Sequence, residues 1–169
     1  MKFRPVLTAE QARELDQKTI ATYHFSNDSL MESAGLLIAN KLESILDESF
    51  LFLAGFGNNG GDALVALRHL ALSNKNCKLF LFELNPESKN SNYKLNRSRL
   101  NELIKRGRIE VLIEIPKSFS GCIVDGLFGS GLSRDFNEEI CSIIKWVNNQ
   151  NTYCVSIDVP SGLDSTSGF

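Results

Sequence analysis

Three short segments of this chain combine glycines with side chains that bind ligands or move protons. The first is Gly55-Phe56-Gly57-Asn58-Asn59-Gly60-Gly61-Asp62, whose first six residues satisfy G-x-G-x-x-G. Glycines let a backbone turn tightly and approach a phosphate, and a helix opening there offers free N–H groups and positive dipole density. No Lys-Ser/Thr pair ends the run, so it is not a Walker A loop. A glycine-rich turn also serves close helix–sheet packing alone, and Asp62 suits a helix N-cap better than an anion site. The second segment is Asp125-Gly126-Leu127-Phe128-Gly129-Ser130-Gly131-Leu132-Ser133-Arg134, and the third is Asp158-Val159-Pro160-Ser161-Gly162-Leu163-Asp164. Neither is the G-x-S-x-G elbow of a hydrolase, and no histidine lies downstream to complete a triad. Taken singly, each also reads as a capped turn, because Asp, Ser and Gly are common turn residues.

The elements that must carry these loops are legible in the hydrophobic pattern. Thr8-Ala9-Glu10-Gln11 is a capping-box pattern opening a helix to about Ala21, and Ser29-Leu30-Met31-Glu32 is a second one. The second helix would bury Leu30, Ala34, Leu37, Ile38, Leu42 and Ile45. Phe50 to Ala54 is an unbroken apolar run, as in a strand covered on both faces. A helix over Ala63–Leu72 is apolar nearly all round. Strands are expected at Lys78–Phe82, Ile109–Ile113, Cys122–Val124 and Tyr153–Ile157. Between them, one helix carries Leu95, Leu100, Leu103 and Ile104 and stops at Gly107, and another carries Phe136, Ile140, Ile143, Ile144 and Val147.

This β-α-β alternation predicts an α/β fold, a doubly wound and mainly parallel sheet with helices on both faces, preceded by N-terminal helices, in a single domain. With strand order 3-2-1-4-5, the order reverses between strands one and four. The three glycine-bearing loops follow strands one, four and five, so all would line the crevice where such sheets bind ligands. Independent turns would not produce that coincidence.

Composition narrows the function further. The 169 residues are 43% apolar and 22% charged with net charge −2, which excludes a disordered chain and argues against a general nucleic-acid binder. Residues 75–108 hold nine Lys/Arg against three Glu, a stretch that reads first as a solvated face. No apolar run approaches a membrane span. The four cysteines form no C-x-x-C, and the two histidines, His24 and His69, are far apart, so no zinc or iron–sulfur site is expected. Cys77, Cys122, Cys141 and Cys154 read as buried, reduced, core-filling thiols of a cytoplasmic protein.

Residues 55–63, 125–132 and 156–164 resemble the three signatures of the NAD(P)H-hydrate epimerases, the YjeF N-terminal domain family. Leu7-Thr8-Ala9-Glu10-Gln11-Ala12 through Asp16 and Leu30-Met31-Glu32-Ser33-Ala34-Gly35 resemble the family's opening; Ser33 and Ser130 stand where Asn and Thr are usual. The resemblance implies a Rossmann-like αβα domain that interconverts the R and S hydrates of NADH and NADPH (NADHX and NADPHX), with an NAD(P)HX dehydratase as functional partner and a homodimer as a further expectation. It implies substrate contacts from Asn58, Asn59, Gly60, Gly61, Asp62, Gly129, Ser130, Gly131, Leu132, Ser133, Arg134, Asp135 and Asp158, and a potassium ion held by Asn59, Asp125 and Ser161. A hard monovalent cation suits those amide, carboxylate and hydroxyl oxygens. The family's domain continues past its third signature, so the domain is expected to be incomplete at its C-terminus and to lack a dehydratase domain.

Inverting a hydroxylated ring carbon requires a proton to be given to an oxygen and later taken back. No histidine or cysteine lies near the loops, so a carboxyl group is the expected agent. With Asp62 read as a cap and Asp125 as an ion ligand, Asp158 at the end of a buried strand is left as the catalytic group, its alternative role being to orient substrate hydroxyls. Two other functions compete with the epimerase. A Rossmann dehydrogenase would use Glu83 to bind ribose, and an inactive nucleotide-binding module would retain only a ligand surface.

Overall fold

The computed structural model describes residues 7–45, 49–82, 90–131, 137–165 and 167–168. Helix α1 (Ala9–Tyr23) opens at Thr8, whose hydroxyl accepts the Gln11 N–H while the Gln11 side chain accepts the Thr8 N–H, the reciprocal capping box expected there. Helix α2 (Asn27–Glu43) starts earlier than expected. Ser26 is its cap and accepts the Ser29 N–H, so Ser29 lies inside the first turn. The face it turns inward also differs from the expected stripe, sharing only Leu42 with it: Met31, Gly35, Ala39 and Leu42 are buried, whereas Leu37 is 69% exposed.

The central sheet follows from unbroken apolar runs. Strand β1 (Ser49–Ala54) is buried from Phe50 to Ala54, with β2 (Asn76–Leu81) on one side and β4 (Cys122–Gly126) on the other. Strand β3 (Ile109–Leu112) lies outside β2, and β5 (Tyr153–Ser156) outside β4. All pairings are parallel and the order is β3-β2-β1-β4-β5, as expected from the alternation. One face packs Leu64, Leu67 and Leu70 of helix α3 (Asn58–Leu72) against Phe50, Phe52 and Val124. The other packs Ile140 and Ile143 of helix α6 (Glu138–Asn148) against Leu51, Leu53 and Ile123.

Several local expectations are corrected. The helix expected around Leu95–Ile104 is two pieces, α4 (Ser91–Ser98) and α5 (Asn101–Lys105), with Leu100 buried at the break. Gly107 ends the second piece with φ +67°, a left-handed stop that a side chain rarely tolerates. Ile113 lies beyond β3 and is 99% exposed. Only Cys77 and Cys122, on central strands, are buried. Cys154 is exposed because β5 is an edge strand, and Cys141 lies on the less covered side of α6. The basic stretch is a solvated face only in part: Lys105 pairs with Glu102 on its own helix at 3.1 Å, whereas Lys78 pairs with Glu110 across β2 and β3 at 2.6 Å and Arg99 reaches Asp28 of α2. Phe136 and Glu83 lie outside the described residues.

Two helices brace the start of α3. Arg99 grips Asp28 with two hydrogen bonds of 2.7 Å each and thereby ties the end of α4 to α2. Glu32 accepts from Arg68 and lies 2.8 Å from His69 Nε2, both on α3. Burial opposes ionisation of Glu32, but these partners outweigh it and hold its carboxyl below the ordinary value. The close approaches depend on missing side chains. A Cβ on Gly61 would lie 2.5 Å from Met31 Cε, and one on Gly35 would lie 2.4 Å from Val65 Cβ.

The tightest contact is at Gly60, where a Cβ would lie 1.8 Å from the Gly55 carbonyl oxygen. Backbone cannot rotate aside, so Gly60→Ala should lower unfolding free energy by about 2–3 kcal/mol, as overpacking does. A urea midpoint within error of wild type would contradict this packing.

Candidate functional site

The carboxyl ends of β1, β4 and β5 lead into the three glycine-bearing loops, which meet as expected on one cavity of about 970 Å³. Its rim includes Gly57, Asn58, Asn59 and Asp62 after β1, Phe128 to Gly131 after β4, and Asp158 after β5. Gly60 and Gly61 are buried one layer behind it, shaping the turn. Ser161 and Asp125 lie beneath the Phe128 loop. The remaining substrate-contact candidates Leu132, Ser133, Arg134 and Asp135 lie outside the described residues.

Helix α3 starts inside the glycine loop, with Gly57 as N-cap and no side-chain cap. The first α-helical return bond runs from the Gly61 N–H to the Gly57 carbonyl at 3.0 Å. The N–H groups of Asn58, Asn59 and Gly60 therefore have no partner within their own helix and make an anion-binding end. This placement corrects the reading of Asp62. It lies well inside α3 and caps nothing.

Asp125 anchors the arrangement. It is buried, and its two carboxylate oxygens accept the Ser161 hydroxyl at 2.6 Å, the Ser161 N–H at 2.8 Å, the Leu127 N–H at 3.2 Å and the Ser156 hydroxyl at 3.2 Å. The Ser161 hydroxyl oxygen in turn accepts the Phe128 N–H at 3.0 Å. Asn59 Nδ2 donates to the Phe128 carbonyl at 2.9 Å. Asp125, Phe128, Ser161 and Asn59 thus bind the three loops into one body.

The other end of the Asn59 amide has no such partner. Asn59 Oδ1 is the one buried side-chain polar atom among the described residues with no hydrogen bond. Flipping the amide would aim that oxygen at the Phe128 carbonyl, so the orientation is set by repulsion as well as by bonding. A buried acceptor left bare costs free energy. The same amide reaches the Phe128 carbonyl, which the Ser161 hydroxyl, itself bound to Asp125, also approaches, and such a set of oxygens suits a hard cation. No group of three or more His, Cys, Asp or Glu able to hold a metal occurs among the described residues.

The two remaining carboxyl groups exchange their expected characters. Asp158 is exposed, not partly buried, because β5 ends at Ser156 and Asp158 lies in the loop beyond it. Its Oδ2 accepts the Ser130 N–H at 2.7 Å, and a Cβ on Gly129 would lie 2.7 Å from the same oxygen. Asp62 is the half-buried one. Burial, then the charges of Asp158 and Asp16, push its carboxyl up to about 7. The desolvation that would make Asp158 a proton carrier therefore belongs to Asp62.

Sequence reasoning missed part of the wall. Ala9, Ala12, Arg13 and Asp16 of α1, Ala34 and Ile38 of α2, and Asn90 also line the cavity, and Asn90 Nδ2 donates to Asn58 Oδ1 at 2.7 Å. For α1 the signal was present: positions 9, 12, 13 and 16 fall on one helix face.

Comparison with known proteins places this geometry among relatives. Residues 27–169 match the family model described as YjeF-related protein N-terminus. An NAD(P)H-hydrate epimerase of Lentilactobacillus buchneri is 35% identical over 96% of this chain and 75% of its own length. A bifunctional NAD(P)H-hydrate repair enzyme of Salinibacter ruber is 33% identical over 97% of this chain, which spans only 33% of that protein. The crystal structure of a yeast protein superposes with a TM-score of 0.78 at 26% identity, covering 95% of this chain and 72% of that one.

The raised carboxyl has a thermodynamic signature. Unfolded Asp62 loses its proton near the ordinary aspartate value of 3.8, whereas folded Asp62 holds it to about 7. Between those values the folded state binds more protons, so Asp62 makes stability fall as pH rises. Asp62→Asn should therefore gain stability over wild type at pH 8 and gain much less at pH 5, read from urea midpoints at both. An equal change at the two pH values would contradict the assignment.

Proposed function

The chain belongs to the family of YjeF-related protein N-termini, and on that premise we propose that it interconverts the R and S hydrates of NADH and NADPH. The reading is carried by the convergence of the Asn59, Asp125–Ser161 and Asp158 loops on one cavity beside an uncapped helix start. The α3 start and its glycines suit a pyrophosphate, and the cavity is large enough for the nicotinamide half of a dinucleotide. Asn59 Oδ1, Asp125 and Ser161 would hold a potassium ion, which when bound supplies positive charge beside the phosphate and satisfies the bare amide oxygen.

The proton chemistry follows from two of the three carboxyl groups on the rim, Asp62 and Asp158. The hydrates carry a hydroxyl at C6 of the reduced ring. For it to leave, a proton must reach its oxygen; the C6–O bond breaks to release water, and the ring nitrogen lone pair forms the N1=C6 bond. Water then adds on the opposite face and returns a proton to the same group. Asp62, with its carboxyl near 7, is protonated in a substantial fraction of molecules at neutral pH and so serves as donor and acceptor in turn. Asp158, exposed and already held by the Ser130 N–H, orients substrate hydroxyls. This reverses the assignment that the sequence alone favoured.

In the cell the product would feed an NAD(P)HX dehydratase, the reaction class with which a repair epimerase must be coupled. The named bifunctional relatives are in keeping with such a coupling. Among the described residues no helix is long and apolar enough to cross a membrane.

Chromatographic separation of S- and R-NADHX with and without the protein tests this reading. Equilibration should accelerate with no net oxidation of the ring. Asp62→Asn should slow turnover by at least about 10²-fold, while Asp158→Asn should mainly raise KM. Hydride transfer to an acceptor without epimerisation would point instead to a dehydrogenase. A normal rate in Asp62→Asn with loss in Asp158→Asn would return the proton to Asp158.

A further inference from the structure

Helix α1 has the sequence of a helix that faces something polar. It carries no buried residue, and its Leu15 and Tyr23 are 54% and 70% exposed. Yet Ala9, Ala12, Arg13 and Asp16, spaced three and four residues apart, all line the cavity between the three loops. The two alanines leave room for a ligand to pass close to the helix. Arg13 is the one cation among the described residues lining the cavity, set against the carboxyl groups of Asp16, Asp62 and Asp158. Its Nε donates to the Ala9 carbonyl at 3.2 Å, which steadies the side chain along its own helix. It forms no ion pair among the described residues.

A dinucleotide brings two negative phosphates to this predominantly acidic rim. The partnerless N–H groups at the start of α3 line one part of it, and the guanidinium of Arg13 supplies charge from α1. We propose that α1 is a wall of the substrate site and that Arg13 meets a phosphate oxygen of the bound dinucleotide. This deepens the epimerase reading and rests on it, since only a phosphorylated substrate needs such a partner. It also gives α1 a reason to hold its place: with no buried side chain of its own, it gains a bound anion as a partner.

Calorimetric titration with NADHX, and with the hydrate of reduced nicotinamide riboside, which keeps the ring and lacks both phosphates, separates the possibilities. Arg13→Ala should weaken NADHX binding at least about tenfold and raise KM with little change in kcat, because the contact is remote from the ring. Arg13→Lys should recover part of the loss, since charge is kept and the fork is not. Affinity for the riboside should be unchanged. Trypsin should cleave after Arg13 and Lys18 in the free wild-type protein and more slowly with NADHX present. Arg13→Ala binding NADHX as wild type does, or losing riboside affinity equally, would overturn the phosphate contact alone. Failure of the wild-type protein to bind NADHX at all would overturn the epimerase reading and this inference together.

Discussion

Everything in the site hangs on the buried carboxylate of Asp125. It stands near the end of a central strand, between Leu53 on one neighbour and Ser156 on the other, where water is excluded. A charge there is tolerable only because four donors reach it, and three of them come from the β5 strand and loop. The expectation that Asp125 serves a ligand first is therefore incomplete. The same oxygens fold the β5 loop over the β4 loop, and Phe128 passes the linkage on to Asn59 at the start of α3. Removing the carboxylate would strand those donors before any ligand was lost.

The glycines make that linkage sterically feasible. Gly55 lets the β1 loop approach Leu127, Gly126 admits Ala63, and Gly60 admits Gly55, so the strand ends and the helix start share one small volume. What results is a cavity with mixed electrostatics: free N–H groups from α3, one arginine from α1, and carboxyl groups on several sides. Placing Asp62 near Asp158 and Asp16 raises its proton affinity without any special partner, because burial and like charge act in the same direction. Behind α3, Met31 packs against Gly61 at the helix start while Glu32 holds Arg68 and His69 further along, and together they keep the helix in register with the loops.

Much of this was legible in the sequence because its signals are non-local and redundant. Five apolar runs alternating with helical patterns leave few topologies, and the parallel order with its reversal between β1 and β4 follows from crossover rules. The placing of the three loops on one crevice followed in turn. What the sequence did not reveal was set by single residues in tertiary context. Ser26, not Ser29, caps α2, and close packing against α3 at Gly35 and Gly61 selects a buried face that the leucine stripe does not mark. Gly57 ended the loop early, placing Asp62 inside a helix. Cys154 looked buried because its strand is apolar, but a strand at an edge shields only one side of its residues, and Asp158 lies past the end of that strand at Ser156. The role of α1 was missed for the opposite reason: it has no buried face, so its signal lay in the spacing of Ala9, Ala12, Arg13 and Asp16 and not in a hydrophobic stripe.

The central claim is that the three loops form one site whose core is an oxygen-lined position for a monovalent cation. Thallium(I), which substitutes for potassium and scatters anomalously, reports on it directly. Crystals grown with thallium acetate should give an anomalous peak in contact with Asn59 Oδ1, Asp125 and Ser161, and Asn59→Leu should abolish it without disturbing β4 or β5. Thallium found only at surface carboxylates, with a water or a protein N–H group seated on Asn59 Oδ1, would contradict the account.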